Sequence, residues 1–243
     1  MKDETQPPAA PGGRDFILHL SSFILYEDAA LIFVDKPGDI VVQRGYDADE
    51  PVLFEEVSRY LTSKGEKCFL MQRLDRGTSG VIFFSKLPGI NANLTRQFER
   101  KNIAKTYVAI LEGTARSQTI DAPLARIGPI SFGVRAEGRR AITRIEPVAS
   151  SRGGTLARIA LLTGRTHQIR AHCAAIGHPL VGDWLYGERN ASRPMLHALS
   201  LSMTHPMSGD RLEVQSPLPA DFVKELSGRG LSAERFGPAG VSI

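Results

Sequence analysis

Residues 71–86, MQRLDRGTSGVIFFSK, decide the fold because they place a carboxylate between two apolar segments. Residues 69–71 precede the polar part, and residues 81–84, Val-Ile-Phe-Phe, have the β-branched and aromatic composition of a core strand. The two glycines and two hydroxyl residues between them predict a tight loop. Asp75 is therefore expected at the end of rigid core segments. That position suits a functional carboxylate, and it equally suits a turn closed by the aspartate side chain.

The composition of the chain is that of an ordinary soluble protein. Its 243 residues include 30 Lys and Arg against 26 Asp and Glu, with a net charge of +4 and a sequence pI near 9.2. This modest excess suits a polyanionic partner without requiring one. The two cysteines, Cys68 and Cys173, are far apart, which favours reduced thiols in a cytoplasm. Because no apolar run approaches the roughly 20 residues of a membrane span, we expect a cytoplasmic protein without membrane association.

The pattern of apolar residues predicts an α+β fold with a mixed, mainly antiparallel sheet flanked by a few helices. We expect a disordered or extended tail over residues 1–22, one folded domain over 23–226 and a second tail over 227–243. Strands are predicted at 23–26, 31–34, 103–113, 141–145, 156–162, 196–201 and 211–214, and helices at 88–100 and from Pro51 onward with Asp49 as its cap. Residues 114–140 are expected to lack regular structure.

A second informative stretch, residues 162–187, contains a predicted helix. Thr166 is a candidate cap, and Gly177 is expected to stop the helix. Ile169 and Cys173 lie on its apolar face, and Arg170 is one step around from that face. Arg170 is thus expected to extend toward a cleft while the helix stays anchored.

These motifs, in this order, resemble the RluA family of pseudouridine synthases. The pattern R-L-D-x-x-T-S-G occurs at residues 73–80, and G-R-x-H-Q-I-R-x-H-x-x-x-x-G-H-P-x-x-G-D-x-x-Y occurs at 164–186. Further similar segments occupy residues 27–38, 98–113 and 196–222. Gln72 stands where the family usually has His. The chain resembles the short form of the family, without the N-terminal S4-type RNA-binding module of some relatives.

The resemblance implies an RNA pseudouridine synthase with a catalytic cleft across its sheet. Its catalytic residues would be Asp75, its basic partner Arg170, and Tyr107, whose ring would pack against the target base. The expected substrate-binding residues are Arg73, Arg76, Lys105, Arg165 and Leu196. The substrate would be a uridine in ribosomal or transfer RNA, the enzyme would be a monomer, and neither a cofactor nor a metal is expected.

Three alternatives use the same residues differently. Residues 75–78, D-R-G-T, also resemble the phosphate loop of actin-like sugar kinases, although the further phosphate motifs of that fold are missing. A non-catalytic RNA-binding protein could share the fold. His167, His172, Cys173 and His178 are possible metal ligands, but their spacing does not place the imidazoles on one helical face.

Overall fold

The computed structural model describes residues 20–45, 51–232, 234 and 240–242. Four α-helices are present in these segments: α1 (Leu53–Ser63), α2 (Asn91–Glu99), α3 (Gln168–Ala175) and α4 (Ala220–Gly228). The strands are β1 (Ile24–Glu27), β2 (Leu31–Lys36), β3 (Phe69–Leu70), β4 (Ser79–Ser85), β5 (Ala104–Leu111), β6 (Gln118–Asp121), β7 (Leu124–Arg126), β8 (Phe132–Val134), β9 (Ile142–Ser151), β10 (Gly154–Leu161), β11 (Leu196–Thr204), β12 (Arg211–Gln215) and β13 (Val241–Ser242). Short 3₁₀ turns cover Leu20–Phe23 and Pro88–Ile90.

Eleven of the strands form one sheet, which confirms the predicted α+β class with a mixed, mainly antiparallel sheet. Its strand order is β1-β2-β4-β11-β5-β10-β9-β6, with β3 beside β4 and with β12 and β13 continuing from β11. The strands β7 and β8 form a separate two-stranded sheet. The hairpins β1–β2, β9–β10 and β11–β12 are antiparallel and join strands that the sequence pattern predicts. Local alternation of apolar and polar residues therefore accounts for most of the sheet.

The pairing of β4 with β11 differs from the other strand pairs of the described sheet, because it is parallel. His197 and Ala198 lie beside Ser79 and Gly80, so both strands begin at the same edge. Gly80 has φ +108°, and a Cβ atom there would lie 2.2 Å from the carbonyl oxygen of Ala198. Only glycine permits this close approach. The Asp75 loop is thereby held against the start of β11.

Two apolar cores cover the two faces of the sheet. Alternate residues of β5 show this directly: Tyr107 and Ala109 belong to the larger core, whereas Val108 and Ile110 belong to the smaller one. Helix α1 packs on the larger core through Leu53, Val57 and Leu61, which lie four residues apart on one face of the helix. The sheet is therefore buried on both sides near β5, and side chains there are rigidly placed.

Several local predictions were wrong. Helix α1 begins at Leu53 rather than Pro51, after Val52 in extended conformation, and Asp49 lies outside the described residues. The residue before α3 is His167, in left-handed conformation and without a side-chain cap bond, so Thr166 is not the cap. Residues 114–140 contain β6, β7 and β8 rather than irregular chain.

The structure also extends past the boundaries expected for the domain. Leu20 is buried in the larger core, before residue 23. Beyond residue 226, α4 continues to Gly228, Leu231 is buried in the smaller core, and Val241–Ser242 pairs with β12. Most of the N-terminal segment, residues 1–19, lies outside the described part of the chain. Within the segments that the structure describes, none of the helices is long and apolar enough to cross a membrane.

Candidate active site

One cavity of about 1100 Å³ opens where the Asp75 loop, β5 and α3 meet. Its wall contains the eight residues singled out from the sequence, namely Arg73, Asp75, Arg76, Lys105, Tyr107, Arg165, Arg170 and Leu196. These residues come from segments spread over more than 120 positions of the chain. The fold therefore brings the predicted set together in one place.

Asp75 lies on the loop between β3 and β4. The turn is closed by the main chain, because the carbonyl oxygen of Asp75 accepts a hydrogen bond from Thr78 N–H at 3.0 Å. The carboxylate side chain is 26 % exposed, at the wall of the cavity. The loop therefore presents a partly solvated carboxylate, and its fold depends on backbone contacts.

Lys36 holds this loop in place through hydrogen bonds to backbone carbonyl groups. Its buried ammonium donates hydrogen bonds to the carbonyl oxygens of Pro37 (2.7 Å), Ile40 (2.6 Å) and Arg76 (3.1 Å). Burial lowers the pKa of Lys36 to about 7, while its three acceptors match the three protons of the ammonium. The residue next to Asp75 is thus tied to the turn that follows β2.

Arg193 holds the other side of the loop. Its Nη1 donates to the carbonyl oxygen of Gly77 at 2.9 Å, and its Nε and Nη2 bind Asp221 of α4 at 2.7 and 3.0 Å. The side chain crosses Gly38 so closely that a Cβ there would lie 2.4 Å from its Cδ. The carbonyl groups of the two residues that follow Asp75, Arg76 and Gly77, are therefore held by cationic donors that are distant in sequence.

Arg170 makes its main ion pair with Asp183, and its contact with Asp75 is longer. Its Nε and Nη2 donate to the two carboxylate oxygens of Asp183, each at 2.7 Å, whereas its Nη1 is 3.7 Å from Asp75 Oδ2. Burial opposes the charged form, but the hydrogen bonds and charge of Asp183 raise the pKa of Arg170. Asp183 is completely buried. The guanidinium is therefore fixed before it meets Asp75, a role for Asp183 that the motif alone did not reveal.

His167 is a second residue whose position the sequence did not reveal. Its φ of +54° is unusual for a non-glycine residue and turns the chain into α3. Its Nε2 lies 3.9 Å from Asp75 Oδ2, and its Nδ1 is hydrogen-bonded to Tyr186 Oη at 3.0 Å. Burial lowers the pKa of His167, so the imidazole is neutral at neutral pH. Asp75 thus faces a cation, Arg170, and a neutral ring.

The floor of the cavity is apolar and rigid. Tyr107 lies on β5, paired with Ala198 of β11 and Ile159 of β10, and is 7 % exposed. Burial, and then the charge of Asp75, raise the pKa of Tyr107 above its usual range, which keeps its hydroxyl protonated. Leu196 opens β11 and is buried beside it. The ring and the aliphatic side chain give the cavity a surface suited to a planar, partly apolar group.

Basic side chains surround this floor. Arg73 is exposed, and the Arg165 Nε donates to the carbonyl oxygen of Arg140 at 3.1 Å. The Lys105 ammonium lies 4.8 Å from the centre of the Phe98 ring, and burial lowers its pKa to about 8. The rim therefore attracts anions while the floor does not.

The three histidines considered as metal ligands each have separate hydrogen-bond partners. His172 bonds to Thr143 Oγ1 and to the carbonyl oxygen of Ala122, both at 2.9 Å, and His178 bonds to the carbonyl oxygen of Glu112 at 2.8 Å. Cys173 is buried, and burial raises its pKa. Structural hydrogen bonds and packing account for these side chains.

Comparison with known proteins agrees with this arrangement. Residues 30–175 match the model of the RNA pseudouridylate synthase family. An RNA pseudouridine synthase of Bacillus subtilis strain 168, YhcT, is 36 % identical over 209 residues, which cover 82 % of this chain and 69 % of the relative. The ribosomal large subunit pseudouridine synthase D of Haemophilus influenzae is 32 % identical over 225 residues, covering 84 % and 69 % respectively.

The fold is shared more widely. The structure of human RNA pseudouridylate synthase domain containing 4 superposes with a TM-score of 0.77 at 20 % identity, covering 90 % of this chain and 97 % of the human one. At that identity the likeness concerns the fold alone. The sequence matches show that the chain belongs to the RluA-type family of RNA pseudouridylate synthases, which are isomerases that convert uridine in RNA to pseudouridine.

Proposed function

We propose that this enzyme isomerises a specific uridine of structured RNA with Asp75 as its catalytic carboxylate. The reaction breaks the bond between the ribose and N1 of uracil, turns the base, and rejoins it through C5. It involves no net redox change, so one carboxylate suffices, either attacking the sugar or removing a proton from it as the base departs. The observation that supports this assignment best is that Asp75 lies 3.7 Å from Arg170 and lines the same cavity as Tyr107.

Arg170 is proposed to orient Asp75. A guanidinium nitrogen lies 3.7 Å from the carboxylate and attracts it electrostatically. Because Asp183 already holds that guanidinium at two nitrogens, Arg170 needs no reorganisation when the substrate binds. A fixed cation of this kind stabilises the negative charge more effectively than a mobile one.

Tyr107 and Leu196 are proposed to receive the uracil. The reacting carbons are hidden inside a stacked RNA helix, so the nucleotide must be flipped out at a cost of a few kcal/mol. Stacking on an aromatic ring returns about 1 to 3 kcal/mol. Arg73, Arg76 and Lys105, with Arg165, are proposed to hold the phosphates on either side of the flipped nucleotide.

The RNA itself is proposed to be ribosomal or transfer RNA, with large-subunit ribosomal RNA as the first to examine. The relative named as ribosomal large subunit pseudouridine synthase D supports that order. We propose a monomer acting in the cytoplasm, where the free thiols of Cys68 and Cys173 stay reduced. No cofactor or metal is needed for the proposed chemistry. Mapping pseudouridine in total RNA from cells with and without the gene identifies the target.

The test of the catalytic assignment is the Asp75→Asn variant. We expect it to abolish tritium release from RNA that carries uridine labelled at C5, while fold and RNA affinity remain close to wild type. Asp210→Asn is the matched control, since Asp210 is exposed in the turn between β11 and β12 and the chemical change is the same. Measurable turnover by the Asp75 variant would refute the assignment.

A further inference from the structure

A second cavity, of about 940 Å³, meets the first at the catalytic loop. The two share Asp75, Arg76, His167 and Arg170 in their walls. The second cavity extends in another direction, toward Trp184 on the loop after α3 and Ile130 on the loop between β7 and β8. A substrate bound in the first cavity can therefore extend into the second cavity beside the Asp75 carboxylate.

The outer part of this second cavity exposes an unusual amount of apolar surface. Trp184 is 50 % exposed and Ile130 is 53 % exposed, although both are large hydrophobic residues. The Arg189 guanidinium lies 5.8 Å from the centre of the Trp184 ring. An exposed indole beside a guanidinium is an arrangement that proteins use to stack nucleobases.

Trp184 is also held on a rigid support. Its backbone N–H donates to the carbonyl oxygen of Gly182 at 3.0 Å, and it follows Asp183, whose carboxylate is fixed by Arg170. The N–H of Leu185 donates to Asp183 Oδ1 at 3.2 Å. The turn that positions the Arg170 guanidinium against Asp75 therefore also fixes the backbone from which the indole extends.

The two cavities differ in their balance of charge. The first has an excess of cations, among them Arg73, Lys105 and Arg165, whereas in the second the carboxylates Asp35, Asp39 and Asp221 are offset by cations such as Lys36 and Arg193. The second cavity therefore attracts a phosphate less strongly than the first, while an uncharged base needs no charged partner. The apolar, partly exposed wall gains free energy when a flat ring covers it.

We propose that Trp184 and Ile130 form a stacking site for the base of a nucleotide adjacent to the target uridine. This inference rests on the proposed function and extends it to the neighbouring nucleotide. The adjacent base leaves the RNA stack when the uridine flips, and the indole replaces its lost stacking partner. RNA whose neighbouring base is stacked on Trp184 binds more tightly, and the chemical step itself is unaffected.

The kinetic test compares Trp184→Ala with Trp184→Phe, using C5-tritiated RNA from cells lacking the gene. We expect the Ala variant to raise KM by roughly 5- to 30-fold at little-changed kcat, because stacking is lost from a half-exposed ring. The Phe variant keeps an aromatic face and should stay within about threefold of wild type. Equal KM values for the Ala variant and wild type would overturn the stacking site, while leaving the assignment of Asp75 intact.

A binding test is independent of turnover. Trp184 is the single tryptophan of the chain, so its fluorescence reports this site alone. In the Asp75→Asn protein we expect oligouridylate to quench the fluorescence, and a ribose-phosphate oligomer of the same length without bases to leave it unchanged. Equal responses to both oligomers, or no response to oligouridylate, would show that no base stacks on the indole.

Discussion

Replacing Asp183 by Asn tests whether the Arg170 guanidinium, the proposed partner of Asp75, is held in place by a second carboxylate. The Asn side chain has almost the same shape as Asp but lacks the charge, and it presents one acceptor instead of two. One of the two 2.7 Å bonds from Arg170 therefore loses its acceptor, and the guanidinium stays buried with less compensation. Its nearest remaining carboxylate is Asp75, 3.7 Å away. We expect the guanidinium to turn toward Asp75 and to disturb the reacting group.

The magnitude follows from the geometry of the pair. A hydrogen bond to a charged group contributes about 1.5 to 3 kcal/mol, and breaking a buried ion pair by removing one partner costs about 3 to 5 kcal/mol. Because Asn retains one bond, we expect the free energy of unfolding to fall by about 3 kcal/mol. Asp183 is fully buried, so solvent screening does not reduce this value much.

The assay is urea denaturation together with tritium release. A loss of about 3 kcal/mol moves the unfolding midpoint by about 1 M or more for typical urea slopes. Arg170→Met is expected to be similarly destabilising, because it leaves Asp183 charged and unpaired, and the double variant should cost less than the sum of the two single ones. A midpoint for Asp183→Asn within experimental error of wild type, or strictly additive single and double variants, would refute the reasoning.

Two further predictions concern pH. Burial lowers the pKa of Lys105 to about 8, so the affinity of the wild type for RNA should fall by up to about tenfold between pH 7 and pH 9. The Lys105→Arg variant should bind RNA equally at both pH values. Titration with labelled RNA measures these affinities, and a wild-type affinity independent of pH would contradict the prediction. Burial raises the pKa of Asp35 to about 6, so the native state binds more protons than the unfolded state between pH 4 and pH 6. The free energy of unfolding therefore decreases as the pH rises through that range and Asp35 ionises. Asp35→Asn should therefore exceed wild type by about 1 to 3 kcal/mol at pH 7 but not at pH 4 in urea denaturation, and a gap that does not grow with pH would exclude this role.

The sheet was largely predictable because its hairpins are local. The segments that become β1 and β2, or β9 and β10, are neighbours in sequence and alternate in polarity, so their pairing needs no distant information. Helix α4 was missed because it has little more than two turns, and its buried residues, Phe222 and Leu226, give too short a periodic pattern. The strands β7 and β8 have three residues each, below the length at which alternation is informative.

The candidate site could be predicted as a set of residues but not as a network. Asp75 and Arg170 were expected to be partners, yet Arg170 lies closer to Asp183. This contact depends on the turn after α3, which brings Asp183 back beside that helix. The left-handed conformation of His167 is another such detail, because positive φ is uncommon for any non-glycine residue even though His adopts it more often than most. Tertiary contacts, rather than local preference, decide such details.

Because β4 pairs with β11, the sheet can be completed only after β11 has been synthesised. Ser79 and His197, whose side chains meet at 3.0 Å, are 118 positions apart in the chain, and β11 also separates β4 from β5 in the sheet. While the ribosome is still synthesising residues 196–204, the two halves of the sheet have no strand to join them, and the edges of β4 and β5 stay uncovered. Catalytic competence therefore requires that β11 has been synthesised, and a nascent chain released before β11 exposes an edge prone to aggregation rather than a weakly active enzyme.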